Sequence, residues 1–189
     1  LGQAFTNILS QPDTQEVRSQ EYRWTNWQDG KTERKMAYYK RVEDKVFAVG
    51  YYMPRSSPSA AQALLDDAIK DLNKAPGDTI ARINQLDSQL TRDDLYIFVV
   101  DTSNLKMVAH GYNRRLINTD LRHLTSVDGQ PIGQQMLAVI KGRDTARINY
   151  LWSNPVTGKP EPKETLLRRS GRYIVAVGYY AAPTENAKR

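Results

Sequence analysis

Thirteen of the 32 residues from Glu21 to Tyr52 recur without a gap 128 positions later in the same chain. Tyr22-Arg-Trp24-Thr-Asn26 returns as Tyr150-Leu-Trp152-Ser-Asn154. Gly30-Lys31-Thr-Glu33-Arg-Lys35 returns as Gly158-Lys159-Pro-Glu161-Pro-Lys163. Ala48-Val-Gly50-Tyr-Tyr52 returns as Ala176-Val-Gly178-Tyr-Tyr180. Chance does not set Trp, paired Tyr and Gly in one register over such a length, so the chain contains an internal repeat. The period is too long for a solenoid and suits a small domain. A chain of 189 residues then holds one complete unit and the C-terminal part of another. The expected organisation is a partial unit over residues 1–52, a Pro/Ser-rich linker over 53–58, a complete unit over 59–182 and a tail over 183–189. Leu1-Gly2-Gln3 also echoes Ile132-Gly133-Gln134 after a small shift, which places a helix at the start of the partial unit.

Periodicity gives the elements of the complete unit. Ser59 reads as an N-cap for a helix over Ala60 to Lys74, with Ala63, Leu64, Ala68 and Leu72 at helical spacing. Pro76-Gly77 breaks it, and Asp78 reads as the cap of a second helix carrying Ile80, Ile83, Leu86 and Leu90 on one face. Leu95 to Asp101 is β-branched and aromatic, a buried strand. Lys106 to Gly111 returns beside it as a hairpin. Asn113 to Leu124 suits short helix and loop, and Pro131 to Lys141 a third helix. Arg147 to Trp152, Glu164 to Ser170 and Tyr173 to Tyr180 follow as strands joined by turns. This order predicts an α+β fold, one antiparallel sheet with helices on one face. The partial unit has one helix and three strands but lacks two strands of that sheet. A bare edge invites association, so it is expected to be covered by the complete unit, another chain or an upstream segment.

Composition removes several chemistries. The absence of Cys excludes disulfides, zinc–thiolate centres and thiol nucleophiles. No Ser occupies a nucleophile elbow, no phosphate loop occurs, and no cofactor motif is present. The paired acids Asp66-Asp67 lie on a helix, where neighbours point apart. A non-catalytic protein without a cofactor is expected. The net charge of +6 is spread among interleaved acids rather than clustered with aromatics, which argues against nucleic acid. No run approaches the ~18 apolar residues of a membrane span. The chain opens at Leu1 without an initiator Met or apolar leader, and so reads as a processed chain or a piece of a longer one.

Three motifs carry a resemblance. Asp94-Leu-Tyr96-Ile-Phe-Val-Val-Asp101 runs into Val108-Ala-His110-Gly111-Tyr-Asn113. Tyr150-x-Trp152-x-Asn154-Pro155-Val-Thr-Gly158-Lys159-x-Glu161-Pro162-Lys163 follows, and the chain closes on Val177-Gly178-Tyr179-Tyr180. Together with the element order they resemble the bacterial single-Cache sensor domains of the second subtype. The resemblance covers about residues 59–180. It implies a five-stranded antiparallel sheet of PAS type behind a long N-terminal helix, a periplasmic or other extracytoplasmic location, and a pocket for a small molecule, commonly a short carboxylate. In that family such domains serve chemoreceptors, sensor kinases, cyclases or stand-alone periplasmic proteins, so a membrane-tethered output outside this chain is the implied partner. A homodimer is left open. Two departures matter. The family often has Tyr three residues after the motif Lys, where the complete unit has Leu166, and the partial unit has Trp27 where the complete unit has Pro155.

Within this frame the candidate ligand-binding residues are Tyr96, His110, Asn113, Arg114, Tyr150, Trp152 and Lys163. His110 ends a strand and can donate to a carboxylate. Tyr150 and Trp152 alternate on one strand and share a face. Lys163 supplies positive charge, and a loop Arg such as Arg114 can clamp a carboxylate. Each also has a plainer reading as core aromatic, turn residue or surface charge.

Overall fold

The computed structural model describes residues 16–27, 32–43, 45–53, 56–87 and 89–180. The helix expected near Leu1 and the tail over 183–189 lie outside the described residues. Two compact units are separated, Leu1–Pro54 and Arg55–Arg189.

The first unit is an antiparallel meander of β1 (Arg18–Thr25), β2 (Thr32–Val42) and β3 (Lys45–Met53), in the order β1-β2-β3. These are the three strands expected of the partial copy.

The second unit begins with α1 (Pro58–Lys74). Its N-cap is Ser57, not Ser59. The Ser57 hydroxyl accepts the Ala60 N–H at 3.1 Å, and Pro58 takes the first helical position, where its missing N–H costs nothing. Ala61, Leu64, Leu65, Ala68 and Leu72 form the buried stripe, whereas Ala63 is exposed. Each of the buried leucines contributes about 1.5–3 kcal/mol by leaving water. The second helix, α2 (Pro76–Asn84), is capped by Ala75 rather than Asp78, because Pro76 again starts the helix. It stops before Leu86, which turns outward at φ 61, so Leu86 and Leu90 are not on its face.

A two-residue strand, β4 (Thr91–Arg92), leads into β5 (Leu95–Asp101) and β6 (Lys106–His110). Two 3-10 turns at Arg114–Leu116 and Leu121–His123 precede α3 (Ile132–Ile140). The chain then returns as β7 (Thr145–Ser153), β8 (Pro160–Ser170) and β9 (Tyr173–Tyr180). Apart from the β4 stub, the sheet order is β6-β5-β9-β8-β7, all antiparallel, which is the five-stranded PAS arrangement.

The expectation of helices on one face is corrected. Every residue of β5 is buried, because both faces of the sheet are covered. Leu95, Ile97 and Val99 meet α1 and α2 together with Leu166, Val175 and Val177. Tyr96, Phe98 and Val100 point the other way, into a layer closed by α3 and Leu121. A fully apolar run, not an alternating one, is what a strand covered on both sides requires.

Candidate ligand site

The site lies in the second of these layers. β8 carries Glu161, Lys163, Thr165 and Leu167 toward it in alternation, and β7 carries Ile148, Tyr150 and Trp152. Tyr150 is the cross-strand partner of Lys163, and Lys163 in turn faces Tyr180 of β9. Pairing of β5 with β9 and β6 brings Tyr96, Phe98 and His110 onto the same face. Five of the seven candidates, Tyr96, His110, Tyr150, Trp152 and Lys163, therefore converge.

Lys163 is the centre. It is 1% exposed. Its ammonium lies 3.8 Å from the Tyr96 ring centre and 5.1 Å from that of Tyr180, and Nζ donates to Tyr96 Oη at 2.6 Å. No carboxylate among the described residues reaches ion-pair distance of it. Burial pushes its pKa well below the ordinary lysine range, and Asp94 opposes that only in part. Gly178 is what lets the side chain lie there: a Cβ on it would stand 2.1 Å from Lys163 Cε and 2.6 Å from Thr165 Oγ1. Glycine in this strand is a clearance for a neighbouring side chain.

His110 is 2% exposed and lies between Tyr96, at 5.0 Å between ring centres, and Phe98, at 6.0 Å. Its Nδ1 accepts the backbone N–H groups of Tyr112 at 3.2 Å and Asn113 at 2.9 Å. An accepting Nδ1 fixes the neutral tautomer with its proton on Nε2. Burial, and then the charge of Lys163, hold its pKa down to about 3. Such a group stays neutral in the folded chain while the unfolded chain binds a proton below the ordinary value of 6.5. Stability is thus whole above pH 6.5 and lost as pH falls toward 3, by about 1.4 kcal/mol per unit. Melting temperatures between pH 7 and pH 4 should fall more steeply for the native chain than for His110→Gln; parallel curves would contradict this assignment.

Asp94 was not among the candidates, yet it is 0% exposed. One oxygen accepts the Ser56 N–H at 3.0 Å, and Oδ2 is buried without a hydrogen-bond partner among the described residues. Burial raises its pKa. Thr165 and Tyr180 were also missed. Tyr150 Oη and Thr165 Oγ1 are 2.8 Å apart, and burial raises the Tyr150 phenol. The signal for Asp94 was its place at the head of the β5 motif, and for Tyr180 its repetition as Tyr52.

Asn113 and Arg114 do not join the cluster. The Asn113 side chain caps the first 3-10 turn by accepting the Arg115 N–H at 3.1 Å, and Arg114 is exposed. Leu166 packs against the helices on the opposite face, so the missing family Tyr at that position does not bear on this site.

The repeat separates scaffold from site. Asn154 Nδ2 donates to Glu161 at 3.1 Å, as Asn26 does to Glu33 at 2.9 Å. Tyr180 Oη donates to Ser153 O at 2.8 Å, as Tyr52 does to Thr25 O at 2.8 Å. Tyr150 and Trp152 meet edge to face at 5.9 Å, and Tyr22 and Trp24 at 6.2 Å. Lys35 likewise lies over the Tyr52 ring, at 4.9 Å, beside Gly50. A three-stranded meander makes all of these contacts by itself. The turn block Asn154 to Glu161, closed further by Thr157 Oγ1 donating to Glu161 at 2.7 Å, is therefore a structural clasp. What the second unit adds is the front wall from β5, the residue before it and β6: Asp94, Tyr96, Phe98 and His110.

The PAS-ordered sheet carries, on one face, a buried lysine amine set among aromatic rings. Residues 53–181 match the family model described as single Cache domain 2, and the chain belongs to that family of sensor domains. It is 27% identical over 89 residues to the methyl-accepting chemotaxis protein McpP of Pseudomonas putida KT2440, a match covering 46% of this chain and 16% of that receptor. Among solved structures it resembles a periplasmic sensor domain of a chemotaxis protein, with a TM-score of 0.50 and 23% identity over 66% of this chain and 90% of the other. It also resembles a Cache chemosensory domain whose structure is described as the basis of carboxylic acid recognition, with a TM-score of 0.52 and 18% identity over 66% of this chain and 92% of that one. No helix among the described residues is long and apolar enough to cross a membrane.

Proposed function

We propose that the second unit is an extracytoplasmic sensing module that binds a short carboxylate between Lys163, His110 and the aromatic walls, and passes the change to a membrane-tethered output. The observation that carries this reading is Lys163: a buried amine with one hydrogen bond and, among the described residues, no carboxylate at ion-pair distance. Its charged form is costly until an anion joins it. A carboxylate supplies that anion, the neutral His110 offers an Nε2–H donor, and Tyr150, Trp152 and Tyr96 give apolar walls for a short chain. The chemotaxis relatives support the extracytoplasmic setting and the output.

Binding should draw in a proton. Burial favours neutral Lys163 in the free state, and an adjacent anion favours the charged form, so the bound pKa lies above the free one. Affinity is then greatest at low pH and falls as pH rises through the free and bound values. Calorimetry with acetate, propionate, lactate and pyruvate, each in two buffers of different ionisation enthalpy, tests this. The expected result is a heat that depends on the buffer, with net proton uptake. Silence with every carboxylate would favour the alternative of a structural or dimerisation module, for which the observation is that the Lys163 chain itself already occupies the clearance above Gly178.

A further inference from the structure

The first unit presents a face that its counterpart never shows to water. At the repeat offset Phe47, Val49 and Tyr38 correspond to Val175, Val177 and Leu166. The former are 60%, 72% and 40% exposed; the latter are 0%, 0% and 5%. In the second unit those positions are covered by the apolar stripe of α1. An open hollow of about 280 Å³ lies on the uncovered face between Tyr38, Phe47 and Val49. The strand edge repeats the difference. Tyr173 to Val177 of β9 pair with Asp101 to Ile97 of β5, whereas the corresponding Lys45 to Val49 of β3 have β2 as their only strand partner among the described residues.

From this double exposure, face and edge together, we infer that the first unit is the receiving half of a second module. It is built to dock a helix–strand element of the chemistry of α1 and β5: an amphipathic helix laid across Phe47, Val49 and Tyr38, and an apolar strand added antiparallel along Lys45–Val49. The α1 and β5 of this chain are engaged in the second unit, so the occupant is another element of that kind. A helix alone would leave the edge bare, and a strand alone would leave the apolar face wet. An exposed apolar face and an unpaired strand edge are each association sites if left uncovered. The register follows from the repeat, with the incoming counterpart of Ile97 opposite Val49 and that of Asp101 opposite Lys45. This inference rests on the repeated contacts and not on the ligand reading.

The test joins a copy of residues 56–131 ahead of Leu1 in the full chain and follows amide hydrogen exchange in β3. The expected result is protection of Lys45–Val49 by about 100-fold or more, abolished by Phe47→Asp with Val49→Asp. Unchanged exchange, or protection that survives the double substitution, would overturn the inference. Should the fusion fail to fold, the polypeptide Ser57–Asn113 is titrated into the unfused chain. Saturable binding weakened at least about tenfold by the same two substitutions supports it, and no binding overturns it. Concentration-dependent pairing of the unfused chain that protects this face and excludes the polypeptide would make the occupant a second copy, which also overturns it.

Discussion

Lys163→Met is expected to make the second unit more stable and blind to carboxylates. Methionine keeps the unbranched stem that lies over Gly178 and removes the charge that burial opposes. The loss is the hydrogen bond to Tyr96, about 1 kcal/mol. The gain is the desolvation cost of the cation, which replacement of buried charges by apolar groups shows to be larger. A net stabilisation on the order of 1–3 kcal/mol at pH 7 follows, read from the midpoint of denaturant unfolding. Its pH dependence has a definite sign. The unfolded lysine holds its proton up to about pH 10.4, whereas the folded one releases it at a lower pH. The advantage of methionine therefore shrinks as pH rises toward 10. A variant that is weaker than the native chain, or that still responds to a carboxylate, would remove Lys163 from the centre of the site.

Gly133→Ala is expected to be the most damaging single methyl group in the described fold, costing about 3 kcal/mol or more. Gly133 sits in the first turn of α3, where a Cβ would fall 1.6 Å from the Leu121 carbonyl oxygen and 2.7 Å from its carbon. The obstacle is backbone, and that backbone is held: Leu124 N–H donates to Leu121 O at 3.0 Å and Gly133 N–H to Leu124 O at 3.0 Å. Neither side can yield without lifting α3 from the turn that closes the aromatic layer. Gly77 is the control. Nothing lies within 4 Å of its added Cβ, and it sits in a helix, so Gly77→Ala should be neutral or slightly stabilising. Urea midpoints of the two variants compare them directly. Similar values for both would mean that α3 does not need its close approach.

The parts of the architecture visible in the sequence were those enforced by backbone chemistry or by repetition. The period-2 and apolar runs located β5 to β9, and the repeat located β1 to β3. Helix boundaries were displaced because proline at the first helical position outcompeted plausible side-chain caps: Pro58 moved the cap to Ser57, and Pro76 moved it to Ala75. The helix on the second face was seen but misplaced in layer, since periodicity tells which residues are buried and not against what. For the site, alternation on β7 and β8 was enough to align Tyr150, Trp152 and Lys163. Asn113 and Arg114 lie apart from the cluster because a residue after a strand can turn into a cap or into water, and sequence does not distinguish these. Asp94 was overlooked because it follows a second acid, Asp93, which is exposed, and only the buried Asp94 meets the Ser56 N–H from 38 residues away.

β5 writes two messages in one strand. Its even positions, Tyr96, Phe98 and Val100, look into the layer closed by α3, where Tyr96 and Phe98 meet His110, and its odd positions, Leu95, Ile97 and Val99, look toward α1 and α2. Selection can thus rewrite one set without disturbing the other. A descendant of this module could change the lining of the aromatic layer through the even positions while its packing against α1 and α2 stays as inherited, or the reverse.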